Sequence, residues 1–288
     1  VTHLKLGRAS QGELSFLGKM RQLIHLDLHQ AESDDLSVLA GLPDLEVLVL
    51  SDSGFKEPDF SHLEGMKRLH RLHLGHNSLT SLTGIEKLQG LTILSLCYNK
   101  FRDISPLGEM THLRNLDLMD TKISDISPLR GLTGLMHLDL SYNKIVDISA
   151  LGEMERLTHL DLSGNKVKDF SVLNRLKGLT HLSLSESKIK DVSLLGQLDH
   201  LEELDLSGNA LTDISGLVGL KELTVLDLRS NGLTILPEGL EKRGMPADFF
   251  NFFMQGPGIY LADNPLEPTM KMAAQAIKIR IKERFEKD

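Results

Sequence analysis

Three histidines and a run of carboxylates recur in this 288-residue chain at one fixed spacing, and they are the side chains whose types could do chemistry. His137, His159 and His181 lie 22 residues apart, and Asp139 and Asp161 follow the first two by two positions. Metal binding needs ligands that converge on one ion at about 2 Å. Equivalent positions of a repeat run parallel and do not converge, so neither a metal nor any other cofactor is expected. Carboxylates beside imidazoles favour the charged ring, so the row suggests a face whose partner affinity changes between about pH 5.5 and 7.5. His70, His73 and His76 form a second cluster, and no metal is expected there either. No Ser-His-Asp nucleophile is legible, because every candidate Ser occupies a repeat position. G-x-x-x-x-G-K-[ST] is absent, so no P-loop is present. The single Cys97 excludes an internal disulfide framework and any CxxC metal site. The expected chemistry is binding, and the chain is not expected to be an enzyme.

A Leu-x-Leu-x-x-Asn motif must position these groups. Its first apolar residue falls at Leu4, Leu26, Leu48, Leu72, Leu94, Leu116, Leu138, Leu160, Leu182, Leu204 and Leu226, with steps of 22 except for 24 from Leu48 to Leu72. A twelfth copy, Ile259 to Asn264, follows after 33. Leu makes up 58 of the 288 residues and Trp is absent, as expected of one packing solution used many times. Leu-x-Leu reads as a short strand with its Leu pair inward, and stacked copies give a parallel sheet. Leu91, Leu113, Leu135 and Leu157, with Phe101, Ile123, Ile145 and Val167, complete each turn of core. No repeat can bury its face without a neighbour. Asn77, Asn99, Asn143, Asn165, Asn209, Asn231 and Asn264 can pair backbone groups where each strand ends. Ala9 and Ala31 should weaken that ladder at the N-terminal end. Asp-Ile-Ser segments, such as Asp103-Ile104-Ser105, read as caps of single, mostly 3₁₀ turns.

This pattern resembles the leucine-rich repeat. Its 22-residue form is similar to that of the phosphatase-regulator repeat proteins and bacterial internalins. The resemblance implies an α/β solenoid: a leucine-rich-repeat horseshoe, parallel sheet on the concave face, short 3₁₀ or helical turns on the convex face, and a C-terminal capping helix. Residues 1–240 hold eleven copies; residues 241–288 hold an insertion loop, the final copy and the cap, in a single domain of what is expected to be a longer chain. The fold hosts many partners and does not by itself specify a function.

Residues 249–253 concentrate Phe249, Phe250, Phe252 and Phe253, and a charged helix is expected over about 269–285. These read as a cap or as a contact surface for a following domain. Gly258-Ile259-Tyr260-Leu261-Ala262-Asp263-Asn264-Pro265-Leu266-Glu267, followed by Gln275-Ala276-Ile277, resembles the end of the repeat domain of bacterial Roco GTPases. Ala262-Asp263 departs from that family's Gly before Asn. The resemblance implies a regulatory module whose partner is another protein or downstream GTPase domains of the same chain.

On the concave face, repeats six to ten place Asp117, Asp120, Asp139, Asp161, Glu186, Glu203 and Asp205 beside the three His, with no Lys or Arg at the same positions. This acidic strip reads as a docking surface for a basic partner segment, or as a solvated face. Lys100, Lys122, Lys144, Lys166 and Lys188 form a basic edge, read either as a solvated row paired with the Asp of Asp-Ile-Ser or as a dock for an acidic domain. A net charge of −8 argues against nucleic acid, and the absence of a long apolar run argues against a membrane span. The single Cys and the absence of an Asn-x-Ser/Thr sequon favour the cytoplasm. A stand-alone enzyme regulator and an internalin-like adhesin or effector are the alternatives.

Overall fold

The computed structural model describes residues 1–9, 11–31, 35–237, 240, 247–248 and 258–267. The chain divides into two compact units, Val1–Leu157 and Thr158–Asp288. The first contains β1 (His3–Lys5), β2 (His25–Asp27), β3 (Val47–Val49), β4 (Arg71–His73), β5 (Ile93–Ser95), β6 (Asn115–Asp117) and β7 (His137–Asp139), stacked in that order. The second contains β8 (His159–Asp161), β9 (His181–Ser183), β10 (Glu203–Asp205), β11 (Val225–Asp227), β12 (Ala247–Asp248) and β13 (Gly258–Tyr260), in the order β8-β9-β10-β11-β13-β12. The two-residue β12, inside the stretch read as an insertion loop, pairs in parallel with β13.

Strands are parallel and in register, Leu opposite Leu: Leu26 faces Leu48, and Leu48 faces Leu72. The two extra residues of that 24-residue step fall outside the strands and leave the register intact. From β2 to β7 both motif Leu of each repeat are at most 2 % exposed. Each such side chain contributes about 1.5–3 kcal/mol on full burial, which offsets the ordering of its coil. Leu4, on the edge strand β1, and Leu6, just after it, are only half-buried.

Short 3₁₀ turns follow the strands, among them Ser105–Glu109, Ser127–Gly131 and Ser149–Glu153 in the first unit and Ser171–Arg175, Ser193–Gln197 and Ser215–Gly219 in the second. The capping differs in detail from the sequence reading. In these six the cap position is the residue after the Asp, and it makes no side-chain cap bond. Instead Asp Oδ1 accepts the Ser amide two residues on, as from Ser105 to Asp103 and from Ser193 to Asp191, both at 2.8 Å. A short carboxylate reaches that amide as an Asx turn. The Ser amide holds Asp103, Asp125, Asp147, Asp169, Asp191 and Asp213 below the usual carboxylate range.

The Asn ladder closes each strand. Asn143 Nδ2 donates to the carbonyls of Leu118 (2.8 Å), Leu140 (3.0 Å) and Ser141 (3.1 Å), while its Oδ1 accepts from the amides of Thr121 and Ile123. Asn77, Asn99, Asn209, Asn231 and Asn264 repeat the arrangement within their own units. Where Asn is replaced by a hydroxyl the ladder persists: Thr121 Oγ1 donates to Leu118 O at 2.9 Å, and Ser53 Oγ to Leu28 O at 3.2 Å. The residue immediately before each of the twelve ladder positions has positive φ, ten of them non-glycine, as at Tyr98 (54°), Tyr142 (55°) and Glu186 (53°).

Candidate binding face

Within the first unit, the strand face places Asp117, His137 and Asp139 as the motif requires. The outward carboxylates serve their own strand ends. Asp117 Oδ1 accepts the amide of Met119 at 3.1 Å and its Oδ2 accepts Ser95 Oγ at 2.8 Å. Asp139 Oδ1 accepts the amide and hydroxyl of Ser141 at 2.8 and 2.6 Å. Asp120 is ion-paired with Lys122, two residues on, so its charge is locally compensated. That pairing departs from the expected one of Lys122 with the Asp of its Asp-Ile-Ser segment; Asp125 is bound to the Ser127 amide. Burial pushes the Cys97 thiol up to about 11, so it does not supply a thiolate nucleophile at neutral pH.

Within the second unit, β8, β9 and β10 align His159, His181 and Glu203 in one row and Asp161, Ser183 and Asp205 in the next. The His159 and His181 rings stack with centroids 4.0 Å apart and planes at 11°. Thr158 and Thr180 hydroxyls sit 2.9 Å from the respective Nδ1 atoms and fix the rings. His181 Nε2 lies 3.6 Å from Glu203 Oε1. Asp161 and Asp205 accept the amides of Ser163 and Ser207 at 2.8 Å. Burial raises the pKa of both; their Ser partners oppose it, and at Asp205 the charges of Asp227 and Asp161 add to the rise. Glu186 and Glu203 are exposed. Among the described residues no group of three or more His, Cys, Asp or Glu is placed to hold a metal ion.

The end of this face holds a pair that the sequence reading missed. Asp227 is fully buried, and Arg229 Nε donates to both its carboxylate oxygens at 2.9 Å. The signal was present: Arg229 stands where the preceding Asp-Leu-Ser copies have Ser163 and Ser207. Lys100, Lys144, Lys166 and Lys188 are exposed, and Lys100 Nζ lies 3.4 Å from Ser78 Oγ. Phe249, Phe250, Phe252, Phe253 and the expected C-terminal helix lie outside the described residues.

Comparison with known proteins bears on this arrangement. A family model described as leucine rich repeat matches residues 111–167, and a two-copy leucine-rich-repeat model matches 67–109, 155–199, 177–219 and 199–242. An internalin (inlF) from Listeria monocytogenes superposes with a TM-score of 0.81 at 25 % identity, over 96 % of this chain and 78 % of that one. The plant peptide hormone receptor RGFR1, solved in complex with RGF2, gives 0.65 at 21 % identity, over 91 % of this chain and 44 % of the receptor. The 187-kDa microtubule-associated protein AIR9 of Arabidopsis thaliana is 40 % identical over 73 residues, which is 24 % of this chain and 4 % of that protein.

Proposed function

This chain is a leucine-rich-repeat protein, and from that premise we propose that it is a non-catalytic interaction module whose second unit docks a basic segment of a protein partner. Such repeats are typically interaction scaffolds rather than enzymes. One observation supports the docking reading above others. The face of β8 to β11 presents Asp161, Glu186, Glu203 and Asp205, and the cation at its end, Arg229, is held by the buried Asp227. A basic segment would meet Asp161 and Asp205 held by Asx turns and the His159 and His181 rings held by Thr hydroxyls, so little freedom of these side chains would be lost on binding.

The larger setting follows from the C-terminal segment. We infer a regulatory repeat region of a Roco-type GTPase, acting in the cytoplasm on a protein partner or on GTPase domains of the same chain. Its support is the Gly258–Glu267 segment, which forms β13 in register with β11 and continues the ladder through Asn264. A second reading, an internalin-like adhesin or effector, is favoured by the similarity to the Listeria protein over 96 % of this chain. Reading the gene past Asp288 and before Val1 separates them. A P-loop within roughly 50 codons downstream supports the GTPase setting; an export signal upstream supports the internalin-like one. For the docking face, the test is binding of Arg- and Lys-rich synthetic peptides to the whole chain. Selection of such peptides, lost on substituting Glu203, Asp205 and Asp161, supports the reading; indifference to those substitutions removes it.

A further inference from the structure

The first unit carries an unpaired cation on its strand face. Arg71, on β4, has a buried Nε with no hydrogen-bond partner, and its guanidinium enters no ion pair among the described residues. Buried donors are almost always satisfied, so an orphan one needs an explanation. The carboxylates facing this region are engaged elsewhere. Asp27 is held by Lys5 and His29, each at 3.0 Å, and Asp117 by Ser95 Oγ at 2.8 Å. Sheet register puts Val47 on one side of Arg71 and Ile93 on the other, and Val49 and Ser95 beside His73. The result is a half-buried guanidinium between two aliphatic walls.

We propose that Arg71 anchors a second docking site, which takes an extended protein segment presenting a carboxylate between apolar side chains. A guanidinium matches a carboxylate in shape and charge, and the pair strengthens when water is excluded. The apolar walls can exclude water once a segment lies across β3 to β5. One full charge on the protein matches one on the ligand. A phosphate would call for a further cation, and the nearby Lys5 is already paired with Asp27. His73 adds a ring without adding charge: burial, and then the Arg71 charge, push its pKa down, against the pull of Asp117 and Asp27 and with the help of His25. This site is independent of the acidic face on β8 to β11.

Four fluorescent peptides of one Val-rich sequence test it on the whole chain. One has a central Glu, one Gln and one phosphoserine, all amidated at the C-terminus; the fourth has its only carboxylate at the C-terminus. The Glu or the free-terminus peptide is expected to bind about tenfold tighter than the Gln peptide, about 1.4 kcal/mol. Which of the two wins identifies the source of the carboxylate. Arg71→Gln should abolish the preference, and Arg71→Lys should keep only part of it, while binding of Arg-rich peptides is unchanged in both. In the unsubstituted chain, the Arg71 Nε–H NMR resonance should shift on adding the preferred peptide, a readout that requires no variant. Equal binding of the Glu, free-terminus and Gln peptides, strongest binding of the phosphoserine peptide, a preference surviving Arg71→Gln, or an unmoved resonance would each overturn the proposal.

Discussion

Asp227 and Arg229 form a closed pair at the end of the second unit's strand face: the carboxylate is fully buried, and the guanidinium Nε donates to both of its oxygens at 2.9 Å. The Asp227 hydrogen bonds raise the Arg229 pKa further. The pair keeps the cation from cancelling the neighbouring acids. Removing one partner of a buried pair typically costs about 3–5 kcal/mol. Arg229→Met should therefore lower unfolding stability by roughly 3 kcal/mol, measured in urea. The paired change of Asp227→Leu with Arg229→Met should recover most of it. A loss under about 0.5 kcal/mol for Arg229→Met would show that the pair is not a structural element.

The ladder supports a second prediction. Asn143→Ala removes the donor to the Leu118 and Leu140 carbonyls and the acceptor of the Thr121 and Ile123 amides inside the repeat, while the Leu118 carbonyl keeps Thr121 Oγ1. Each buried group left unpaired costs about 1–3 kcal/mol, partly relieved by relaxation, so a loss of about 2–4 kcal/mol is expected from chemical denaturation. Asn143→Asp keeps the acceptor, loses the donors and should cost at least as much.

The left-handed turns support a third. Gly208 sits at φ +65°, and a Cβ there would lie 3.0 Å from Glu186 Cγ. Gly208→Val should cost about 1–2 kcal/mol. Tyr142→Gly, at φ 55° with an exposed ring, should be neutral or stabilising by up to about 1 kcal/mol. Thermal unfolding of both variants checks the contrast.

The sequence contained most of this architecture and less of its chemistry. The 22-residue step placed Leu26 to Leu226 in the core and Asn143 in a ladder, because spacing and burial are set by the same repeat. What it hid was the second use of outward carboxylates. Asp139 and Asp205 looked like pure surface charge, yet each caps its own strand end. A one-letter motif cannot separate a charge offered to solvent from one already accepting an amide. Arg71 was legible as a cation in its column, but its lack of a partner depends on what Asp27 and Asp117 bind instead.

Acid titration should separate two classes of Asp. Asp161 and Asp205 have raised folded pKa values, so their protonated forms are favoured in the folded chain. Their ionisation opposes folding as pH rises from the ordinary 3.8 through the raised value, and this penalty disappears as pH falls below 3.8. Asp191 is depressed, so its contribution is present above 3.8 and lost as pH falls through its lowered value. Relative to the unsubstituted chain, Asp161→Asn should gain stability as pH rises through the raised pKa. Asp191→Asn should be at its worst above pH 3.8 and converge with the parent in stronger acid. Urea midpoints from acid to neutral pH give both curves, and parallel curves would refute the assignment.

The docking face itself is tested most directly by one affinity ratio. An Arg- and Lys-rich peptide selected on the whole chain is titrated against that chain and against the Asp161→Asn, Glu203→Gln, Asp205→Asn variant near physiological salt. Partly screened pairs of about 0.5 kcal/mol each sum to about 1.5 kcal/mol over three sites, roughly a tenfold weaker Kd for the variant. The difference should shrink as salt is raised. Equal affinities for a variant whose urea midpoint is no lower than the parent's would contradict a basic partner on this face.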